Sequence, residues 1–168
     1  FRSEDAYFSD WCLRSAVRDF DFGMNPQGPV MTSGCPAEYY GAVLLAASAL
    51  ADATGDGDYL RRVEPVAARL LACQQTAPVG EAFQLSGYFN KDETSGRPLA
   101  YPDEHEHTVG LGLTRFGQRT KNDALRAGCK AAVRRYGEYL RAIAKVNAPY
   151  GVLPAYIFDI HEIRDHRP

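Results

Sequence analysis

The densest group of reactive side chains is Tyr101-Pro102-Asp103-Glu104-His105-Glu106-His107, in which three carboxyl groups and two imidazoles fall on five consecutive positions. Two carboxyl groups are the usual equipment for cleaving a glycosidic bond. One protonates the leaving oxygen and the other activates water or attacks carbon, with the pair roughly 5 or 6.5–9.5 Å apart. Glu104 is the first candidate acid. Glu38 is the second, because it holds the equivalent place in an internal repeat set out below, and Asp103 is the third. The same acids also have an architectural use, Asp103 as a helix cap and Glu104 and Glu106 as favourable charges at the positive helix N-terminus.

His105 and His107 flank Glu106 and suit hydrogen bonding to a substrate. A metal site is not expected from them, because residues two apart on a helix point about 200° from each other and no His-Glu-x-x-His set is present. The nearest approach to that motif, His161 to His166, has its second histidine one place too late. Tyr88, Tyr101 and Tyr40 belong to an aromatic supply that can stack on the apolar C–H faces of sugar rings, whereas Trp11 is expected in a core. Asp159, after the apolar run Tyr156 to Phe158, is expected to cap a turn. No phosphate-binding loop, dinucleotide fingerprint or Gly-x-Ser-x-Gly elbow occurs, so no cofactor is expected.

Helices must position these groups. Ser3 can cap a first helix through about Phe20, whose polar stripe Asp10, Arg14 and Arg18 leaves Phe8, Trp11, Leu13 and Val17 for a mostly buried face. After a Gly- and Pro-rich loop, Pro36 opens a second helix to about Ala53, almost uncharged on every side and therefore expected inside. Thr54-Gly55-Asp56-Gly57-Asp58 ends it and begins an amphipathic third helix, in which Pro65 predicts a kink or a late start. Pro78 to Pro102 lacks a helical pattern, and a loop of that length is more often functional than filler. A fourth helix is expected from Asp103 to about Gln118. The fifth carries the strongest pattern, Leu125, Cys129, Ala132, Val133, Tyr136, Leu140 and Ile143 against a charged opposite face.

Sliding the chain by 66 residues lays Thr54 on Thr120, Leu50 on Phe116, Leu45 on Leu111, Val43 on Val109 and Glu38 on Glu104. The repeating unit is an apolar helix, a short Thr-containing turn, an amphipathic helix and a long return loop. One such pair cannot bury its apolar helix alone, so the repeat implies stacked hairpins. Glu38-Tyr39-Tyr40 through Leu45, the turn Thr54-Gly55-Asp56 with Tyr59-Leu60, and the ending Leu70-Leu71-Ala72-Cys73-Gln74-Gln75 resemble hairpins of the six-hairpin glycosidase-like superfamily. Gly87-Tyr88-Phe89-Asn90 is similar to the loop that lies over the ring mouth in such proteins. The resemblance spans about Pro36 to Leu140 and implies an all-α fold, part of an α/α toroid, with an open α-helical solenoid as the alternative. A full ring has six hairpins and this chain holds two with a leading helix and a trailing stub. Residues 1–168 are thus expected to form one helical domain or a portion of a larger toroid, whose catalytic partners can lie elsewhere.

With Lys+Arg 19 against Asp+Glu 21, the net charge of -2 offers no basic field for nucleic acid or an anionic membrane. No apolar run is long enough to span a bilayer. Cys12, Cys35, Cys73 and Cys129 are widely spaced, as buried free thiols are, and leave the compartment open. The expected activity is that of a carbohydrate-active enzyme, a glycoside hydrolase using carboxylate acid/base chemistry on a saccharide. A polysaccharide lyase or sugar epimerase on the same fold and a non-enzymatic helical-repeat scaffold are the alternatives. Expected partners are the saccharide and either the remainder of a larger chain or further copies in a homo-oligomer.

Overall fold

The computed structural model describes residues 6–25, 28–29, 37–78, 86–89 and 106–146. Six helices occupy most of this: α1 (Ala6–Gly23), α2 (Ala37–Thr54), α3 (Asp58–Arg62), α4 (Glu64–Ala72), α5 (Glu106–Arg119) and α6 (Asp123–Val146). A minimal ribbon pairs β1 (Met24–Asn25) with β2 (Gly28–Pro29) after α1. The chain is all-helical in class, and the expected starts of α2 and α5 fall within a few residues of those observed. The expected helix-opening residues Ser3, Pro36 and Asp103, Cys35, and the stretch from Pro149 through Asp159 to His166 lie outside the described residues.

Sequence dictates the turn between α2 and α3 in detail. Gly55, at φ +74°, takes the left-handed position that ends helices and returns its amide to the Ala51 carbonyl at 2.9 Å. The Thr54 hydroxyl donates to the Leu50 carbonyl at 2.7 Å and accepts from the Asp56 amide at 3.1 Å, while the Asp56 carboxylate accepts from the Asp58 amide at 2.8 Å. Sixty-six residues later the chemistry recurs: the Asn122 amide donates to the Thr120 hydroxyl at 3.1 Å, and the Asn122 side chain accepts the Leu125 amide at 3.2 Å, capping α6. The internal repeat is therefore a repeat of hydrogen bonding as well as of residue type. The Pro65 expectation is met by a fresh start. Val63 (φ -99°, ψ 4°) separates α3 from α4, and Pro65 sits in the first turn of α4, where its missing N–H costs nothing.

Contacts fix the directions of the helices. Gly41, near the start of α2, lies against Thr108 and Val109 near the start of α5, and Asp52, near the end of α2, pairs with Arg119 at the end of α5. These two helices run parallel. Gly117 meets Cys129 and Gly110 meets Tyr136, so α5 and α6 form an antiparallel hairpin. Leu71 touches Gly128 and Glu64 bonds Asn122, which makes α4 and α6 parallel too. Two hairpins thus stand side by side, apolar helix beside apolar helix and amphipathic helix beside amphipathic helix. Leu44, Val63, Leu70, Val109, Leu113, Phe116 and Ile143 fill the space between the layers. Cys73 and Cys129 are buried thiols, as expected, whereas Cys12 is only half-buried; burial pushes the Cys129 thiol up to about 11, which keeps it protonated and inert.

Two burial expectations are corrected. The first helix was expected to be mostly buried, yet in α1 only Phe20 is, and Tyr7, Phe8, Trp11 and Phe22 are exposed. Leu13 and Val17 pack on the core only in part, and in the last turns Arg62 lies over the Phe20 ring at 5.1 Å and pairs with Asp21 at 2.6 Å. Nor is α2 enclosed on all sides, because Ala42, Ala46, Ala49 and Ala53 are exposed. In each case an apolar pattern states what a helix face can bury, and a neighbour must be present to bury it.

The close approach of α2 and α5 yields a first prediction. An added Cβ at Gly112 would run into the Gly41 carbonyl, whereas one at Gly137 meets nothing. Gly112→Ala should cost about 1–3 kcal/mol in urea unfolding through overpacking. Gly137→Ala should raise stability by roughly 0.5–1 kcal/mol through reduced backbone entropy. A second concerns pH. Two hydrogen bonds from Arg119, each 2.6 Å, hold the Asp52 carboxyl below its ordinary 3.8, partly opposed by desolvation and aided by the Arg119 charge. A carboxyl depressed on folding stabilises above its unfolded pKa, and the contribution disappears as pH falls through the lower folded value. Asp52→Asn should therefore lower the urea midpoint near neutral pH and lose that deficit in strong acid.

Candidate functional site

Because α2 and α5 run parallel with their first turns in contact, their N-termini lie at one end of the hairpin pair. Glu38 is the second residue of α2 and His107 the second of α5, so the backbone sets both at this end. Tyr101, Asp103, Glu104 and His105 lie outside the described residues; in the sequence Glu104 stands two places before the first residue of α5. The geometry thus brings Glu38 and His107 to neighbouring helix starts.

Tyr40 and Tyr88 are placed differently from a pair of open stacking platforms. Both rings are buried, Tyr40 2% and Tyr88 0% exposed. Tyr88 packs on Tyr139 with ring centres 5.5 Å apart, and its hydroxyl has no hydrogen-bond partner among the described residues. Burial pushes this phenol up to about 12, so it is neutral at physiological pH.

Around Tyr88 is the anchor of the long loop. Gln74 is buried, and its amide nitrogen donates to the Gly87 carbonyl at 2.8 Å and the Ala132 carbonyl at 2.9 Å. Its oxygen accepts from Arg135 Nε at 2.9 Å, so every polar hydrogen and the oxygen of this buried amide are used. Backbone bonds Gln75 to Tyr88 (2.9 Å) and Gly87 to Gln75 (2.7 Å) complete the clamp. Gly87, at φ +99°, lies directly against the Arg135 carbonyl, where no side chain fits. Phe89 packs on Tyr136 at 5.8 Å, and Tyr136 touches Gly110 of α5. The chain leaving α4 is therefore pinned beside the start of α5, at the same end as Glu38.

Sequence reasoning saw Gln74 only as the close of a hairpin and did not single out Arg135 or Tyr139. A Gln closing a helix shortly before a Gly was the available signal, but only Gly87 is near in sequence, and Ala132 and Arg135 lie about sixty residues away.

At the opposite end, the two turns enclose a cleft of about 600 Å³ lined by Asp56, Asp58, Arg61, Glu64, Arg119 and Lys121 among others. Three of its charges have partners: Arg61 pairs with Asp58, Arg119 with Asp52 beyond the lining, and Glu64 accepts from the Asn122 amide at 3.2 Å. The cleft is a stapled turn surface. Among the described residues no group of His, Cys, Asp and Glu converges as metal ligands, and no helix is long and apolar enough to cross a membrane. Comparison with known proteins finds no matching family, no similar curated protein and no similar solved structure.

Two measurements test the anchor. Gln74→Leu leaves the Gly87 and Ala132 carbonyls and the Arg135 guanidinium without this partner, so stability should fall by about 1–3 kcal/mol and amide exchange at Gln75 and Gly87 should accelerate. Tyr88, whose phenol rises on folding, stabilises below its ordinary 10.0, and the contribution is lost as pH climbs through about 12. Tyr88→Phe should flatten that alkaline loss without weakening the protein at neutral pH.

Proposed function

We propose that this chain forms two hairpins of an α/α toroid that acts on a saccharide, as a glycoside hydrolase working through carboxylates at the N-terminal ends of α2 and α5. The observation that supports this reading most is the parallel pairing of those helices, with the long loop anchored at the same end. It gives two equivalent helix starts, one carrying Glu38 and the other preceded by Glu104, as a repeat that pairs acids requires.

In this reading Glu104 is the proton donor to the leaving oxygen, and Glu38 is the second carboxylate. Asp103 caps the entry, and His105, His107 and Tyr101 bind the sugar. Tyr88 and Tyr40 support the loop and the helix from within the core. Glu104→Gln keeps shape and removes the ionisable group, so turnover on a panel of aryl glycosides and neutral oligosaccharides should fall about a hundredfold or more. Circular dichroism should be unchanged. Full activity in both Glu104→Gln and Glu38→Gln refutes the assignment, and an unsaturated product absorbing in the ultraviolet would mean elimination rather than hydrolysis.

A further inference from the structure

The interface between α2 and α5 has two halves, and each helix also presents the half that the other uses. On α2, Gly41 and Asp52 meet α5, with Leu45 and Ser48 between them on the same helical row. On α5, Thr108, Val109, Gly112 and Arg119 meet α2. Moving the first row forward by the 66-residue repeat gives positions 107, 111, 114 and 118 of α5, of which Leu111 is 45% exposed and Gln118 is exposed too. Moving the second row back gives Ala42, Val43, Ala46 and Ala53 of α2, three of them exposed. The end of α1 sits beside the first half of this face, around a cavity of about 240 Å³ between Phe20, Gly23 and Met24 on one side and Tyr39, Ala42 and Ala46 on the other, and the exposed Ala49 and Ala53 lie beyond it, so the later turns of α2 are the clear part of the face.

We propose that these two open faces meet between copies of this chain, the α5 of one copy lying parallel on the α2 of the next, as α5 lies on α2 within the chain. What argues for a second copy as the occupant is that both halves are present on one molecule, in the register of an interface it already forms. Neither mapped row carries a formal charge on Ala42, Val43, Ala46, Ala53, Leu111, Thr114 or Gln118, so no ion need be desolvated on contact. Ala46 stands where the internal contact has Gly112, so the copies stand further apart than α2 and α5 do. Leu111 fills the wider gap. Contact is therefore weaker than the internal one, and because the two faces differ it is head-to-tail. The inference goes beyond the saccharide reading and does not depend on it.

Sedimentation velocity over the micromolar to submillimolar range tests it with Ala46→Glu and Leu111→Glu, which spoil opposite faces at exposed positions. The parent should self-associate with rising concentration, and each variant alone should associate at least about tenfold more weakly. Mixed together the variants should form a one-to-one dimer that grows no further, because each retains the face the other has lost. Matching circular dichroism and melting curves show that the variants are folded. A parent that stays monomeric throughout, variants that associate as the parent does, or a mixture that stays monomeric overturns the proposal.

Discussion

Everything described here depends on how closely two helix backbones approach. Gly41 and Gly112 let α2 and α5 touch main chain to main chain, a distance no side chain at either position allows. Helices in ordinary contact stand 8–10 Å apart because side chains separate them. Removing those side chains at one crossing brings the flanking residues into depth, and Val109, Leu113 and Phe116 on α5 become fully buried along with Leu44 and Ala47 on α2. The cost is the backbone entropy of glycine inside a helix, about 1 kcal/mol each relative to alanine, which the buried area around the crossing offsets.

Parallel helices in contact cannot be joined by a short turn, so the chain must travel back between them. α3 and α4 make most of that journey and add the amphipathic layer, and the residues between Gln74 and α5 complete it. A long return is entropically tolerable, since closure cost grows only slowly with loop length, but it leaves the course of the chain unspecified. The clamp of Gln74, Gly87 and Arg135 supplies the missing specification at one point. A buried amide with all its hydrogen bonds made is directional where apolar contact is not, and here it fixes where the loop departs relative to α6.

Features that depend on neighbours in sequence were legible before the structure. The end of α2 at Thr54 and Gly55, the restart forced by Pro65, and the row Cys129, Ala132, Tyr136 and Ile143 on α6 all follow from local rules, and all are observed. Tyr139 was missed on the same helix because a spacing of three from Tyr136 competes with Leu140 at four, and only the position of Tyr88 decides between them. The open sides of α1 and α2 were illegible for a related reason: hydrophobic pattern reports capacity for burial, not the presence of a neighbour. For the candidate site, the alignment of Glu38 with Glu104 in the repeat was visible, and the structure adds that the helices they introduce start side by side. Tyr88 sits in a stretch that looks like open loop, but its place in the core depends on α6, fifty residues away.

The two ends of the hairpin pair are finished in opposite ways, and that asymmetry follows from the order of the elements. At the turn end each connection is a few residues long, so the polar groups freed by helix termination find partners at once: Thr54 and Thr120 hydroxyls, Asp56 and Asn122 side chains, and the Asp52–Arg119 pair across the helices. At the other end α2 and α5 begin, with amide hydrogens that no residue within the helix can satisfy. Positive helix termini attract carboxylates and hold them ionised, which suits a nucleophile or base but opposes a proton donor. An acid placed there to donate a proton needs a less polar surrounding than its helix provides. The described residues that Gln74 and Gly87 pin beside α6, Tyr88 and Phe89, are apolar, but they spend that surface on the core, against Tyr139 and Tyr136.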